Sequence, residues 1–500
     1  MNTRARSGLV VASNRLPVVV VRHPDGRCEL VPGSGGLITA LVPVLRDRGG
    51  VWVGWPGTCG ELSSLESELA AAGERAGYRL EPVSLTVDEE RKFYQGFSNE
   101  IIWPLFHDLQ SHCNFDPEYW EVYQRVNHRY AEALARHCRE DDFLWVHDYH
   151  LTSVATELRR LGRSAHLAFF LHIPFPPLDI FLKLPWRFQL LRALLDYDLV
   201  GFQTPRDLRN FLGCVRHLMP EVRVQGRRGQ IQTLQLDQRE VRAGSFPISI
   251  DFNAFMKRAA ASEVGEKVVE LKAMLPNREL IVGIDRLDYT KGIPQRLRAF
   301  GHALERYPEL HERVTLIQVV VPSREEIPRY HDLRTEIEQL VGEINGKFTR
   351  PGGWVPIHYV FRSLTGTDLL AYYRAAQIAL ITPLKDGMNL VAKEYCACSI
   401  EEENALILSE FAGAAAELQH GALLVNPYDI EGMAEAIHRA VQMPIDERRA
   451  RMRRMRRVIR NHDIFWWVDS FLRAAIAKDL SAFPQPDDYV PQPESGWPSV

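Results

Sequence analysis

The chain has 500 residues, 46% hydrophobic and 25% charged, the makeup of a globular protein too long for a single hydrophobic core, so two domains are expected. Sixty Lys and Arg against 64 Asp and Glu leave a formal charge of −4. That excludes a global pull toward nucleic acid or membrane, and any anion site must be local. Seven scattered cysteines, an odd number, indicate reduced thiols and a cytoplasmic protein.

Arg4 and Arg6 ahead of an apolar stretch imitate a signal peptide, but Asn14, Arg15 and Pro17 interrupt it. No uncharged apolar run reaches the length of a membrane span. Strands are predicted at Leu9–Ala12, Val51–Val53, Phe143–Val146, Leu167–Leu171 and Leu199–Phe202. Helical patterns lie between them, for example at Tyr119–Arg139 and Pro205–Leu218. The strand series pauses from about Met219 to Arg278, and Ser245 to Ile248 reads as a crossing segment. A second series runs through Leu280–Ile284, Leu316–Val321, Ile357–Val360, Ile378–Ile381, Leu406–Leu408 and Leu423–Val425, with helices at Ile293–Tyr307, Ile327–Gly342 and Gly432–Val441. Most of these strands are apolar on both faces, as parallel strands covered by helices are. The fold class is α/β, with two Rossmann-like doubly wound domains facing across a cleft. Residues 1–248 form the first domain and 249–460 the second. A helix at 461–480 packs back on the first domain, and 481–500 is a disordered tail.

The strand Leu280–Ile284 ends in Arg286 and Lys291, just ahead of a helix N-terminus. Two cations there suit a leaving group with concentrated negative charge, such as a diphosphate. About 95 residues downstream, the strand Ile378–Ile381 leads into Asp386-Gly387-Met388-Asn389-Leu390-Val391-Ala392-Lys393-Glu394. Gly387 allows close backbone approach, Asn389 caps the next helix, and carboxylates at 386 and 394 can each bind a vicinal diol. In the first half, Ser13-Asn14-Arg15, Ser34-Gly35-Gly36-Leu37, His147-Asp148-Tyr149-His150 and the run Phe170 to Pro176 each follow a strand or open a helix. Phe93 to Asn99 leads to Trp103.

Four groups have a plainer reading than the chemistry they imitate. His147, Asp148 and His150 imitate metal ligands, but sugar contact by Asp148 explains them more simply. Asp196-Tyr197-Asp198 imitates a cation-holding DxD, yet it precedes its strand, whereas ligands gather at strand C-termini. The arginine run from Arg448 to Arg460 reads as a solvated helix face, with Met452, Met455 and Ile459 on its apolar side. Cys396-Ala-Cys398 lacks zinc-ligand spacing.

Taken in order, these motifs, together with Trp103-Pro104, Gly201-Phe202-Gln203-Thr204, Arg286-Leu287-Asp288-Tyr289 and Ile344-Asn345-Gly346-Lys347-Phe348, resemble the α,α-trehalose-6-phosphate synthases, retaining sugar transferases of the GT-B type. The resemblance runs from about residue 8 to residue 478. It implies transfer of glucose from UDP-glucose to glucose 6-phosphate, two small-molecule partners. It further implies that Arg286 and Lys291 clamp the diphosphate, that Glu394 holds the ribose, and that Asp386 and His172 contact the donor glucose. The backbone at Gly36 and the stretch Gly387, Met388, Asn389, Leu390 and Val391 complete the donor side. Arg15, Tyr94, Trp103, Asp148 and Arg324 form the acceptor pocket. The catalytic set is then Arg286, Lys291, His172 and Asp386. No metal and no cofactor are expected, because the two cations do the work of one. The loop between Arg15 and Ser34 is longer than in the shortest members. Nothing after residue 478 resembles the phosphatase domain fused to some members. A homo-oligomer is left open.

Overall fold

The computed structural model describes residues 8–22, 28–33, 36–60, 65–225, 231–324, 326–350, 353–477, 483 and 486–491. The chain divides into two units, Met1–Ile248 with Phe465–Pro486 and Ser249–Ile464 with Asp487–Val500.

In the first unit the apolar runs become β1 (Leu9–Arg15), β2 (Val18–Arg22), β3 (Cys28–Pro32), β4 (Val51–Trp55), β5 (Arg79–Pro82), β6 (Phe143–His147), β7 (His166–Phe170), β8 (Leu199–Phe202), β9 (Arg223–Gln225), β10 (Ile231–Leu236) and β11 (Arg239–Ser245). Nine of them make one sheet in the order β5-β4-β1-β6-β7-β8-β11-β10-β9. From β5 through β11 neighbouring strands run parallel. The first six positions follow the doubly wound order 3-2-1-4-5-6, whose topological switch lies between β1 and β6.

Two stretches differ from the sequence expectation. The pause after Met219 is occupied by β9, β10 and β11, with β10 antiparallel to both neighbours. Their polar alternation (Thr233, Gln235, Glu240, Arg242) belongs to a hairpin near the sheet edge, where one face stays wet; it lacks the continuous apolar run of a buried parallel strand. The long loop after Arg15 carries the hairpin β2–β3, paired from Val18↔Pro32 to Arg22↔Cys28.

The helix Ile464–Ile476 closes the first unit. Its Phe471 ring stacks on Trp145 at 4.4 Å and 7°. Its Trp467 Nε1 donates to the Phe246 carbonyl at 3.1 Å. Arg242 donates to the Ala474 carbonyl at 2.7 Å.

The second unit has β12 (Glu279–Arg286), β13 (Val314–Val321), β14 (Ile357–Phe361), β15 (Ile378–Ile381), β16 (Ala405–Ser409) and β17 (Leu423–Val425). Their order is β14-β13-β12-β15-β16-β17, all parallel, with the switch between β12 and β15. Helix Ile293–Arg306 buries Leu297, Phe300 and Leu304 beside Leu316, Ile337, Met433 and Ile437 in one core.

The arginine-rich helix Ile445–Asn461 buries Met452, Met455 and Ile459 as expected, but it is not merely a solvated face. Arg456 and Arg448 are themselves buried. Arg456 donates to the Cys396 and Ala397 carbonyls, both at 2.8 Å, at the end of helix Leu390–Cys398. Arg448 donates to the Ala440 and Val441 carbonyls at the end of helix Ile430–Gln442. A cation at a helix C-terminus satisfies orphan carbonyls and opposes the helix dipole.

The expected tail also differs where it is described. Tyr489 donates to Glu410 at 2.9 Å and Gln419 to the Asp488 carbonyl at 3.3 Å. An aromatic hydroxyl and a backbone acceptor supply anchors that a Pro/Ser/Asp composition hides. No helix among the described residues is long and apolar enough to cross a membrane.

Candidate active site

The second unit gathers charge at its switch point. β12 ends at Arg286, which is exposed. A short turn, Tyr289–Lys291, follows, and Gly292 takes φ 63° before the helix begins. A Cβ there would lie 2.4 Å from the Thr382 carbonyl, so only glycine lets this loop pack against the end of β15. Lys291 Nζ donates to Asp386 Oδ2 at 2.6 Å. Asn389 Nδ2 reaches the same oxygen at 3.1 Å, while its Oδ1 caps the Ala392 amide. Gly387 passes against Gly413, where an added Cβ would meet the Gly387 carbonyl at 1.9 Å. Met388 is buried, and its carbonyl accepts from the Ala414 amide at 2.8 Å. Leu390 and Val391, half-buried, open the helix that carries Glu394.

Arg324, Lys291 and Arg286 surround the buried Asp288. Burial alone would raise its carboxyl; Arg324, then Lys291 and Arg286, with the Thr290 amide, outweigh that and hold it below the usual carboxylate range. Arg324 lies 3.8 Å from Asp288 Oδ2 and donates to the Tyr330 hydroxyl at 2.8 Å. The fully buried Arg296 braces both loops. It pairs with Asp285 and donates to Thr382 Oγ1 at 3.1 Å and the Lys291 carbonyl at 3.4 Å. Glu394 accepts from the Tyr373 hydroxyl at 2.9 Å. Its carboxyl is raised, chiefly by burial, against the opposing pull of that bond and of Arg258.

The first unit builds a second cluster at its own switch. Arg15 ends β1, and its guanidinium lies 4.2 Å from the Trp55 ring centroid and 5.5 Å from that of Tyr94. Gly57, at φ 87°, presses on the same side chain: an added Cβ would fall 2.2 Å from Arg15 Nη1. Tyr94 sits on a π-helical stretch, Glu90–Ile102, a geometry that often marks functional sites. Asn99 on that stretch donates to the Tyr94 carbonyl at 2.7 Å and accepts from Tyr149 at 2.9 Å. Trp103 follows; it is buried, with its ring 5.9 Å from Tyr149 and 4.3 Å from His107.

Asp148 follows β6 at φ 75°, a strained conformation for a residue with a side chain. Its Oδ1 accepts from the His172 amide at 3.1 Å. His172 follows β7, and its ring faces His147. Gly36 opens helix Gly36–Arg48, whereas Ser34 and Gly35 lie outside the described residues.

Arg15, Tyr94, Trp103, Asp148 and His172 therefore belong to the first unit, and Arg286, Lys291, Asp386 to Val391 and Glu394 to the second. Arg324, expected with the acceptor residues, stands in the second unit, where it acts on Asp288 together with Lys291 and Arg286. His147 faces His172, whereas His150 stacks on Tyr94 at 14°, so the imidazoles of that motif do not converge as ligands. Among the described residues, no group of three or more His, Cys, Asp or Glu is placed to hold a metal ion. The aspartates of Asp196-Tyr197-Asp198 are engaged by Thr156, Arg159 and the Leu167 amide. Sequence reasoning missed Trp55, Gly57 and Arg296. Asp288 lay unassigned between two cations of a motif already singled out.

Two doubly wound sheets, one with a cation cluster at its switch point, are the architecture of a GT-B glycosyltransferase. The chain belongs to glycosyltransferase family 20, whose sequence profile matches residues 7–477. It is similar to the trehalose-6-phosphate synthase of Mycolicibacterium gilvum, at 43% identity over 95% of each chain. The trehalose-6-phosphate synthase of Mycobacterium avium is also 43% identical, over 94% of this chain and 95% of that one. Among solved structures, an α,α-trehalose-phosphate synthase (UDP-forming) from Burkholderia xenovorans in complex with glucose-6-phosphate matches with a TM-score of 0.84 and 36% identity, covering 94% of this chain and 99% of that one. An E. coli relative bound with UDP-2-fluoro glucose matches with a TM-score of 0.84 and 37% identity, over the same shares.

Proposed function

We propose that this enzyme transfers glucose from UDP-glucose to glucose 6-phosphate, giving α,α-trehalose 6-phosphate and UDP with retention at the anomeric carbon. The observation that carries this reading is the gathering of Arg286, Lys291 and Arg324 around Asp288 at the switch point of the second sheet. The relatives' names and ligands support the choice of substrates.

The donor diphosphate lies on Arg286 and Lys291, near the backbone at Gly36. Gly387, Met388 and the helix start at Asn389, Leu390 and Val391 give it close backbone approach. Glu394 takes the ribose diol, and Asp386 and His172 take hydroxyls of the donor glucose. Arg15, Tyr94 and Trp103 hold the acceptor and its phosphate, with Arg324 as a further cation, and Asp148 contacts the acceptor sugar.

Attack is on the same face from which the leaving group departs. The acceptor's anomeric oxygen bonds to the donor's anomeric carbon as the bond from that carbon to the phosphate oxygen breaks. The acceptor's proton passes to the departing oxygen, so no enzyme nucleophile is used. Double displacement would need a carboxylate on the opposite face with an acid–base partner, and the carboxylates here serve as hydroxyl binders. Arg286 and Lys291 stabilise the charge that grows on the diphosphate, a preorganised electrostatic role. With that charge met by side chains, no metal is required; activity should survive EDTA, and loss in EDTA restored by magnesium would refute this point.

The deciding experiment incubates the purified protein with UDP-glucose and glucose 6-phosphate, alongside a panel of other phosphorylated acceptors. The expected product has the mass of a disaccharide phosphate and a single glycosidic linkage that is α at both anomeric centres. A product formed only with another acceptor overturns the assignment.

A further inference from the structure

Behind His172 lies a second imidazole that the proposed reaction does not use. His147, the last residue of β6, is fully buried, and its Nδ1 lies 3.1 Å from His172 Nε2. The surroundings are aromatic. The Trp145 ring is 4.7 Å from His147, the Phe170 ring 4.7 Å from His172, and Trp467 lies 6.5 and 6.3 Å from the two imidazoles. Burial pushes His172 down to about 3 and holds His147 well below the ordinary histidine value, with His172 adding to the effect on its neighbour. Both rings are neutral, and each carries one proton.

One hydrogen joins the two facing nitrogens, and it comes from one side or the other. If His172 supplied it, the proton of His147 would sit on Nε2, an atom with no partner among the described residues. The neighbouring Trp145 indole N–H likewise has none. Two buried donors would then share an apolar wall with no acceptor, an arrangement folded proteins avoid. The reverse assignment leaves a bare lone pair at His147 Nε2 and only one buried donor, the indole N–H, without an acceptor.

We propose that His147 is a positioning residue: it donates its Nδ1–H to His172 Nε2, fixes His172 as the Nδ1–H tautomer, and so presents a donor to a hydroxyl oxygen of the donor glucose. The last step rests on the reading of His172 given under the proposed function; the tautomer does not. Each ring keeps a single proton throughout, and no charge is created.

The test uses the full chain with ¹⁵N-labelled histidine, free of ligand, with His172 assigned by the loss of its signals in His172→Gln. The expected spectrum has Nδ1 protonated and Nε2 bare. His147→Asn places an amide N–H close to where Nδ1–H was and should keep that pattern. His147→Phe should let the two tautomers average. KM for UDP-glucose should rise about tenfold in His147→Phe, the scale of one lost hydrogen bond. In His147→Asn it should rise by less than about threefold, and KM for glucose 6-phosphate should hold in both. A protonated Nε2 on His172 in the parent overturns the proposal. So does a His147→Phe protein with an unmoved His172 spectrum and an unmoved KM. Should His147→Phe fail to fold, the parent spectrum and His147→Asn still decide. A protein that makes no disaccharide phosphate faults the proposed reaction instead, and the ligand-free spectrum stands apart from it.

Discussion

Lys291 and Asp386, 95 residues apart in the chain, meet at 2.6 Å where β12 and β15 diverge. The pair joins a cation expected at the leaving group to a carboxylate expected at the sugar. Removing the cation should therefore do more than weaken binding. Lys291→Ala should lower turnover at saturating substrates by about 10²–10³-fold, the scale for losing one preorganised donor. UDP release measured at saturating donor checks this; a near-parental rate would remove Lys291 from the transition state.

Gly57 offers a test of the Arg15 cluster with its own control. Gly57→Ala places a Cβ 2.2 Å from Arg15 Nη1 and should drive the guanidinium off Trp55. Gly60 has a comparable φ of 104° but nothing within 4 Å. Gly60→Ala therefore carries a similar backbone strain without the clash. KM for glucose 6-phosphate should rise about tenfold or more in Gly57→Ala only, the scale of one lost charged contact. Equal effects in both variants would reduce the argument to strain.

Arg296 is a stability prediction. Its guanidinium compensates the buried Asp285 and ties the loops bearing Lys291 and Thr382. Arg296→Met leaves a buried carboxylate without its partner, which costs about 3–5 kcal/mol. Urea unfolding at neutral pH reads this directly; a loss under about 1 kcal/mol would show that the site relaxes around the missing cation.

Asp288 and Glu394 should respond to acid with opposite signs. The Asp288 carboxyl is lowered in the folded protein, so the unfolded chain binds the proton more readily and stability is lost as pH falls. Asp288→Asn should be less stable than the parent at pH 7, with the gap closing below about pH 4, the ordinary carboxylate range. Burial raises Glu394 in the folded protein, so its charged form opposes folding above the ordinary range. Glu394→Gln should be more stable than the parent at pH 7, with that gain fading as pH falls toward about 4. Its KM for UDP-glucose should rise. Thermal unfolding of both variants across pH checks the signs.

Much of this was readable beforehand because parallel strands buried on both faces leave a continuous apolar run. Leu199–Phe202 and Ile378–Ile381 have the observed bounds, and the charged residues that interrupt such runs mark strand ends. The polar hairpin β10–β11 left no such trace. Nor did the arginine caps, because Arg448 and Arg456 look like their solvated neighbours until the carbonyls they meet are known. Trp55 and Gly57 act on Arg15 from about 40 residues away, across β1 and β4. No local pattern encodes that meeting. Arg324 stands just past the end of β13, the strand exit at which it was read.

The stacking of Phe471 on Trp145 has a consequence for synthesis. Ribosomes deliver the N-terminus first, and domains tend to mature as they emerge. Here the first unit lacks its closing helix until the stretch Ser249–Ile464 of the second unit has been translated. Trp145 and Phe170 wait uncovered through that interval, a window in which the nascent polypeptide is a natural client for chaperones.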